Sequence, residues 1–230
     1  LVDLDDLEVN SSNLWVYDDL PILYIDDINN PVASINISKY SWNNLGYKLH
    51  TVKFPGSFSF TITSIDNMKP IKEVYYYISE SKIPLKKSEI NSITDWKQYT
   101  DAVTLEEEGF YVVYVKVLDY NDNVLYLNSD LLVLDLSASY VNITMNDSNW
   151  DSLNTDLEDI YLNTNASLLV DAVDELSGVK SVEYYLSDKY LTKEELDAIE
   201  TWTTYLNNIV VNSRTGSIVY VKVLDYTDYV

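Results

Sequence analysis

Phe58, Phe60 and Ile62 alternate with Ser59 and Thr61, and Val182, Tyr184 and Leu186 alternate with Glu183, Tyr185 and Ser187. A period of two is that of a strand with one face buried. Two further runs, Tyr111 to Val117 and Ser217 to Val223, are rich in β-branched and aromatic residues and also predict strands. One stretch departs from this pattern, Thr192-Lys193-Glu194-Glu195-Leu196-Asp197-Ala198-Ile199. There the Thr192 hydroxyl can take a first-turn amide while Glu195 reaches back, a capping box that predicts a short helix.

The pattern occurs twice. A shift of 108 residues lays Asp27 on Asp135, Ile35 on Ile143, Trp42 on Trp150, Ser59 on Ser167 and Asp66 on Asp174. It also lays the run Ile71 to Ser79 on Val179 to Ser187. After a two-residue indel the shift is 106, which places Leu85, Lys87, Glu89, Trp96 and Tyr99 on Leu191, Lys193, Glu195, Trp202 and Tyr205. Val115 to Tyr120 then recurs identically as Val221 to Tyr226. About seven strands per unit of about 100 residues, punctuated by polar turns, predicts an immunoglobulin-like sandwich. The expected architecture is all-β: two tandem immunoglobulin-like β-sandwiches, each with one short helix. Expected boundaries are 28–135 and 136–230, with 1–27 as an extended segment resembling the closing strand of a preceding repeat. With no cysteine in the chain, aromatic packing must stand in for the usual disulfide.

The unit resembles the Ig-like repeats of large prokaryotic cell-surface proteins. Asp174 to Ser187 looks like their strand pair opening on Asp-x-x-Ser-Gly; Leu191 to Leu196 followed by Trp202 looks like their short helix and Trp-x-x-Tyr strand. Val219 to Tyr226 is similar to their late strand, which ends in an Asp-x-x-Gly-Asn turn. The glycine of that turn is missing from both copies, and Lys69-Pro70 replaces Ser-Gly in the first. The resemblance implies a spacer or adhesive module, extracellular and at the cell surface, with no active site to carry over.

Composition narrows the chemistry. The net charge is −22, from 15 basic and 37 acidic residues, a balance that repels nucleic-acid backbones. One histidine and no cysteine leave neither thiol chemistry nor Cys/His zinc sites. No run approaches the ~18 apolar residues of a membrane-spanning helix. The chain opens on Leu1 without a signal-peptide pattern, so a leader already removed or a cut from a longer chain is expected. Asn10, Asn36, Asn142, Asn146 and Asn165 head glycosylation sequons, a mild excess over chance.

No catalytic residue is expected. Carboxylate pairs are plentiful, but no insertion breaks the repeat to make a cleft. No cofactor is expected either, with Ca²⁺ as the alternative. Its candidate ligands are the boundary pair Asp26 and Asp27, and Asp119, Asn121 and Asp122, which spell part of the calcium-linker pattern between cadherin domains. The second copy, Asp225 to Tyr229, has lost two of the carboxylate or amide side chains of Asp119 to Asn123, and strand-like sequence follows the first, so a solvated turn is the expected reading. The 21 tyrosines raise an alternative function, a carbohydrate- or protein-binding module, with Tyr75 to Tyr77 as its first candidate surface. Against that, the aromatics recur at equivalent positions in both copies, as packing residues do.

Partners are expected to be neighbouring repeats or copies of this chain, with a host or matrix protein or glycan as further candidates. Leu14, Trp15, Val16 and Tyr17, then Ile22, Leu23, Tyr24 and Ile25, resemble Val124 to Leu127 and Leu131 to Leu134, the closing strand of repeat 1. Repeat 2 runs only to the counterpart of Val124. These eight residues are therefore candidates for assembly by strand exchange, beside the plainer reading that a longer array was cut at an arbitrary phase.

Overall fold

The computed structural model describes residues 28–146, 148–153, 160, 165–212 and 216–228, and within them the protein is two tandem β-sandwiches. Leu14 to Tyr17 and Ile22 to Asp27 lie outside the described residues. In the first sandwich β1 (Val32–Ile37), β2 (Tyr40–Trp42), β4 (Phe58–Ile65) and β7 (Val103–Leu105) form one sheet in the order β2-β1-β4-β7. The facing sheet runs β3-β10-β8-β5-β6, built from β3 (Thr51–Phe54), β5 (Ile71–Ser79), β6 (Lys97–Gln98), β8 (Gly109–Asp119) and β10 (Leu131–Leu134).

The closing strand of this sandwich comes in two pieces. β9 (Val124–Asn128) returns as a hairpin along the second half of β8, and β10 pairs with its first three residues and, in parallel, with β3. Ser129 holds the jog between them: its amide donates to the Val113 carbonyl and its hydroxyl accepts from the Val113 amide, both at 2.9 Å. Asp130 beside it accepts from the Trp42 indole and the His50 amide. The His50 ring itself lies at the surface, 3.6 Å from that carboxylate.

The alternation in β4 works as the sequence predicts. Phe58, Phe60 and Ile62 are buried between the sheets, and Ser59 and Thr61 face water. Phe60 meets Ile35, Val113, Val115, Val117, Leu127 and Leu132 in one core, edge-on to the Tyr76 ring at 5.6 Å. Burying such a side chain contributes about 1.5–3 kcal/mol. A second cluster lies outside the other sheet, where Ile90 of helix α1 (Lys87–Asn91) packs on Val112 and Tyr114.

The second sandwich repeats this plan with fewer strands described. β11 (Tyr140–Met145), β12 (Ser148–Trp150), β13 (Ala166–Val173) and β16 (Ile209–Val211) are ordered β12-β11-β13-β16. Opposite them β14 (Val179–Ser187), β15 (Thr203–Thr204) and β17 (Ile218–Asp225) are ordered β15-β14-β17. Helix α2 (Lys193–Asp197) has the expected cap: Thr192 Oγ1 accepts from the Glu195 amide, and the Glu195 carboxylate accepts from the Thr192 amide. The alternation expected of Val182 to Ser187 is blurred. Leu186 is 39% exposed, whereas Tyr185, expected outward, is half-buried because the Trp202 ring covers it at 6.0 Å. Among the described residues no helix is long and apolar enough to cross a membrane.

Candidate functional site

Equivalent residues do equivalent work in the two sandwiches. The Tyr99 hydroxyl accepts from the Ile62 amide and the Tyr205 hydroxyl from the Val170 amide, each at 3.0 Å. Tyr114 and Tyr220 accept in the same way from the amides of Leu85 and Leu191. Trp96 lies 6.3 Å from Tyr77 with the Lys116 ammonium over its face, and Trp202 lies 6.0 Å from Tyr185 with Lys222 over its face. The row Tyr75 to Tyr77 is engaged likewise: Tyr75 under Lys116, Tyr76 on Phe60, and Tyr77 on Trp96 and Tyr114.

The aspartates tie turns. Asp119, at the end of β8, accepts from the amides of Asn121 and Asn123 and from the Asn123 side chain at 2.7–2.9 Å. Burial pushes its carboxyl up, but these bonds and the Lys69 charge outweigh it and hold the group below its ordinary range. Asn121 and Asp122 sit in the same turn, where Asp122 pairs with Lys72 at 2.7 Å. The missing glycine has a local answer. Asp122 and Asp228 take φ of 60° and 67°, a left-handed conformation that aspartate tolerates better than most residues.

A different set of acids meets where the sandwiches join. Asp135, just past β10, donates its amide to the Phe54 carbonyl of the first sandwich and accepts the Ser177 amide of the second at 3.0 Å. Lys53, on β3, donates to the Ser177 carbonyl at 2.6 Å and lies 3.8 Å above the Tyr226 ring. Gly178 allows the loop to turn at φ +83°, donating to Asp174. Glu108 holds the connecting segment through the Leu136 amide and the Ser137 hydroxyl. An open groove of about 470 Å³ follows this seam, lined by Asp135, Ser137, Tyr140, Val173, Asp174 and Leu176.

Carboxylate oxygens of Asp135, Asp174 and Asp225 lie within 4.8 Å of one another there, and Asp135 and Asp225 are fully buried. An all-oxygen set of this kind has the chemistry of a hard divalent cation site such as calcium's. Each of the three also accepts protein donors: Asp135 from Ser137 and Ser177, Asp174 from Leu176, Ser177 and Gly178, Asp225 from the amide and hydroxyl of Thr227. Sequence reading named Asp119, Asn121 and Asp122, which stay together on one turn of the first sandwich, and did not assemble this trio. Its signal was present in the repeated aspartates, but its members are scattered through the chain and meet only across the seam.

No protein-family profile matches the chain, and no curated protein matches its sequence. Among solved structures it is similar to the fibronectin(III)-like modules of CbhA from Clostridium thermocellum, with a TM-score of 0.33 and 8% identity, over 84% of this chain and 87% of that one. A likeness this slight does not bear on function.

Proposed function

We propose that the chain is a structural segment of an extracellular surface protein, acting as stalk, adhesin region or filament building block rather than as an enzyme. Residues 28–135 and 136–230 are the links, and residues 1–27 resemble the closing strand of a link before them. One observation carries this reading: the tyrosine, tryptophan and aspartate contacts that stand out in one sandwich recur in the other and serve the fold. A recognition site would be a feature of one copy, and of the row that suggested it Tyr76 and Tyr77 recur as Tyr184 and Tyr185, while the place of Tyr75 is taken by Glu183, which pairs with Lys222. The seam supports a mechanical role, since Lys53 and Asp135 of one link grip Ser177 and Tyr226 of the next. The charge of −22 keeps such a rod dispersed.

Pulling single molecules from both ends tests the proposal. The expected trace has two unfolding events of similar contour length, each at a force typical of a β-sandwich. A chain that extends without resistance, or saturable binding of one sugar on a glycan array, would turn the reading toward a recognition module.

A further inference from the structure

The seam between the sandwiches is held by few groups. Two hydrogen bonds that cross it converge on one residue: the Ser177 amide donates to Asp135 at 3.0 Å, and the Ser177 carbonyl accepts from Lys53 at 2.6 Å. Lys53 also places its cation over the Tyr226 ring at 3.8 Å. Apolar burial adds little beside them. Tyr140, Val173 and Tyr226 each keep about half of their surface in water, and a groove of about 470 Å³ follows the joint. Domains joined by a small, polar interface move relative to one another unless something holds them.

Other features of the closed seam oppose it. Asp135 comes from the first sandwich and Asp174 and Asp225 from the second, so repulsion among carboxylate oxygens within 4.8 Å of one another acts across the joint. The Ser139 hydroxyl is buried without a hydrogen-bond partner among the described residues, and an open joint would give it water. Each sandwich, by contrast, is tied by long strand pairs, β5 on β8 in the first and β14 on β17 in the second. Parting the seam therefore takes far less than parting either core.

The connecting segment gives the place of the pivot. Glu108 accepts from the Leu136 amide and the Ser137 hydroxyl, which fastens those two residues to the first sandwich. On the other side β11 begins at Tyr140. Ala138 and Ser139 lie between the two anchored parts.

We propose that the seam is a mechanical latch. Under tension the grip on Ser177 releases first, the second sandwich swings about Ala138 and Ser139, and both sandwiches stay folded. When tension falls, Lys53 and Asp135 take Ser177 again, so the joint closes without refolding. The chain thus lengthens at low load before either core gives way. This inference rests on the structural reading above and adds a reversible first step to it.

An optical trap holding the full chain by its two ends reads that step directly. The unaltered chain should hop reversibly between two lengths at a force well below the first of its two unfolding events. At a fixed force the lifetime of the closed state should fall about tenfold or more in Lys53→Met, which loses a charged hydrogen bond and the cation on Tyr226. Tyr226→Leu removes only the ring and should shorten that lifetime about 2–5-fold. Lys72→Met breaks a surface pair with Asp122 on the first sandwich and should leave it unchanged. A trace of the unaltered chain that rises smoothly to the first unfolding event overturns the latch. So does a hop whose closed lifetime is the same in Lys53→Met. Variants are scored on molecules that give both unfolding events, and the unaltered chain decides the matter without them. Two unfolding events with no hop would leave the spacer reading standing, whereas a chain that extends without resistance would remove both.

Discussion

Tyr114 lies wholly inside the first sandwich, yet its hydroxyl accepts the Leu85 amide at 2.7 Å. Tyr114→Phe keeps the ring and leaves that amide without its acceptor. The expected cost is about 1–3 kcal/mol in urea unfolding. Burial, first of all, pushes this phenol up, and it does the same for Tyr111. Because the folded value is the higher, the unfolded chain loses these protons first as pH rises. Stability should therefore be full below about pH 10 and fall above it, with a smaller fall in Tyr114→Phe. Asp119 has the opposite sign. Its folded value is lowered, so its contribution is present above about pH 4 and lost as pH drops through the folded value. A thermal melt series in acid should show a shallower decline for Asp119→Asn, which starts less stable at neutral pH.

Single elements carry their own signals, and how well each was legible depends on how local those signals are. The α2 cap could be read from Thr192 and Glu195 because a capping box spans one turn. Thr192→Ala should cost about 0.5–2 kcal/mol in the second sandwich, whereas α1, whose N-cap is Lys86, has no hydroxyl there to lose. β4 was legible from its alternation, and Phe60→Ala should cost about 3–5 kcal/mol. The face of β14 was less so, because whether Tyr185 or Leu186 is covered depends on Trp202, which arrives from beyond α2. Likewise the two-piece closing strand was read as one, since the jog at Ser129 is set by Val113 on another strand. The seam was the least legible feature. Nothing near Lys53 in sequence indicates that it reaches Ser177, and the three aspartates gathered there are far apart along the chain.

At the scale of the molecule the seam decides shape. Lys53→Met removes the hydrogen bond to Ser177 and the cation over Tyr226 while leaving both cores intact. The expected result is an unchanged melt and a broader distribution of distances between dyes placed on the two sandwiches. The trio of aspartates gives a second test there. Each already accepts at least two protein donors, so a chelator should leave both the melt and that distribution unchanged. A melt raised by several degrees on adding calcium would instead put an ion among the three carboxylates.

Position 161, which answers to Lys53 in the second copy, is a tyrosine. The ammonium that grips the seam therefore has no counterpart at that position of the second sandwich. A joint built there would lack the cation that Lys53 places over Tyr226, and side load would bend it more readily.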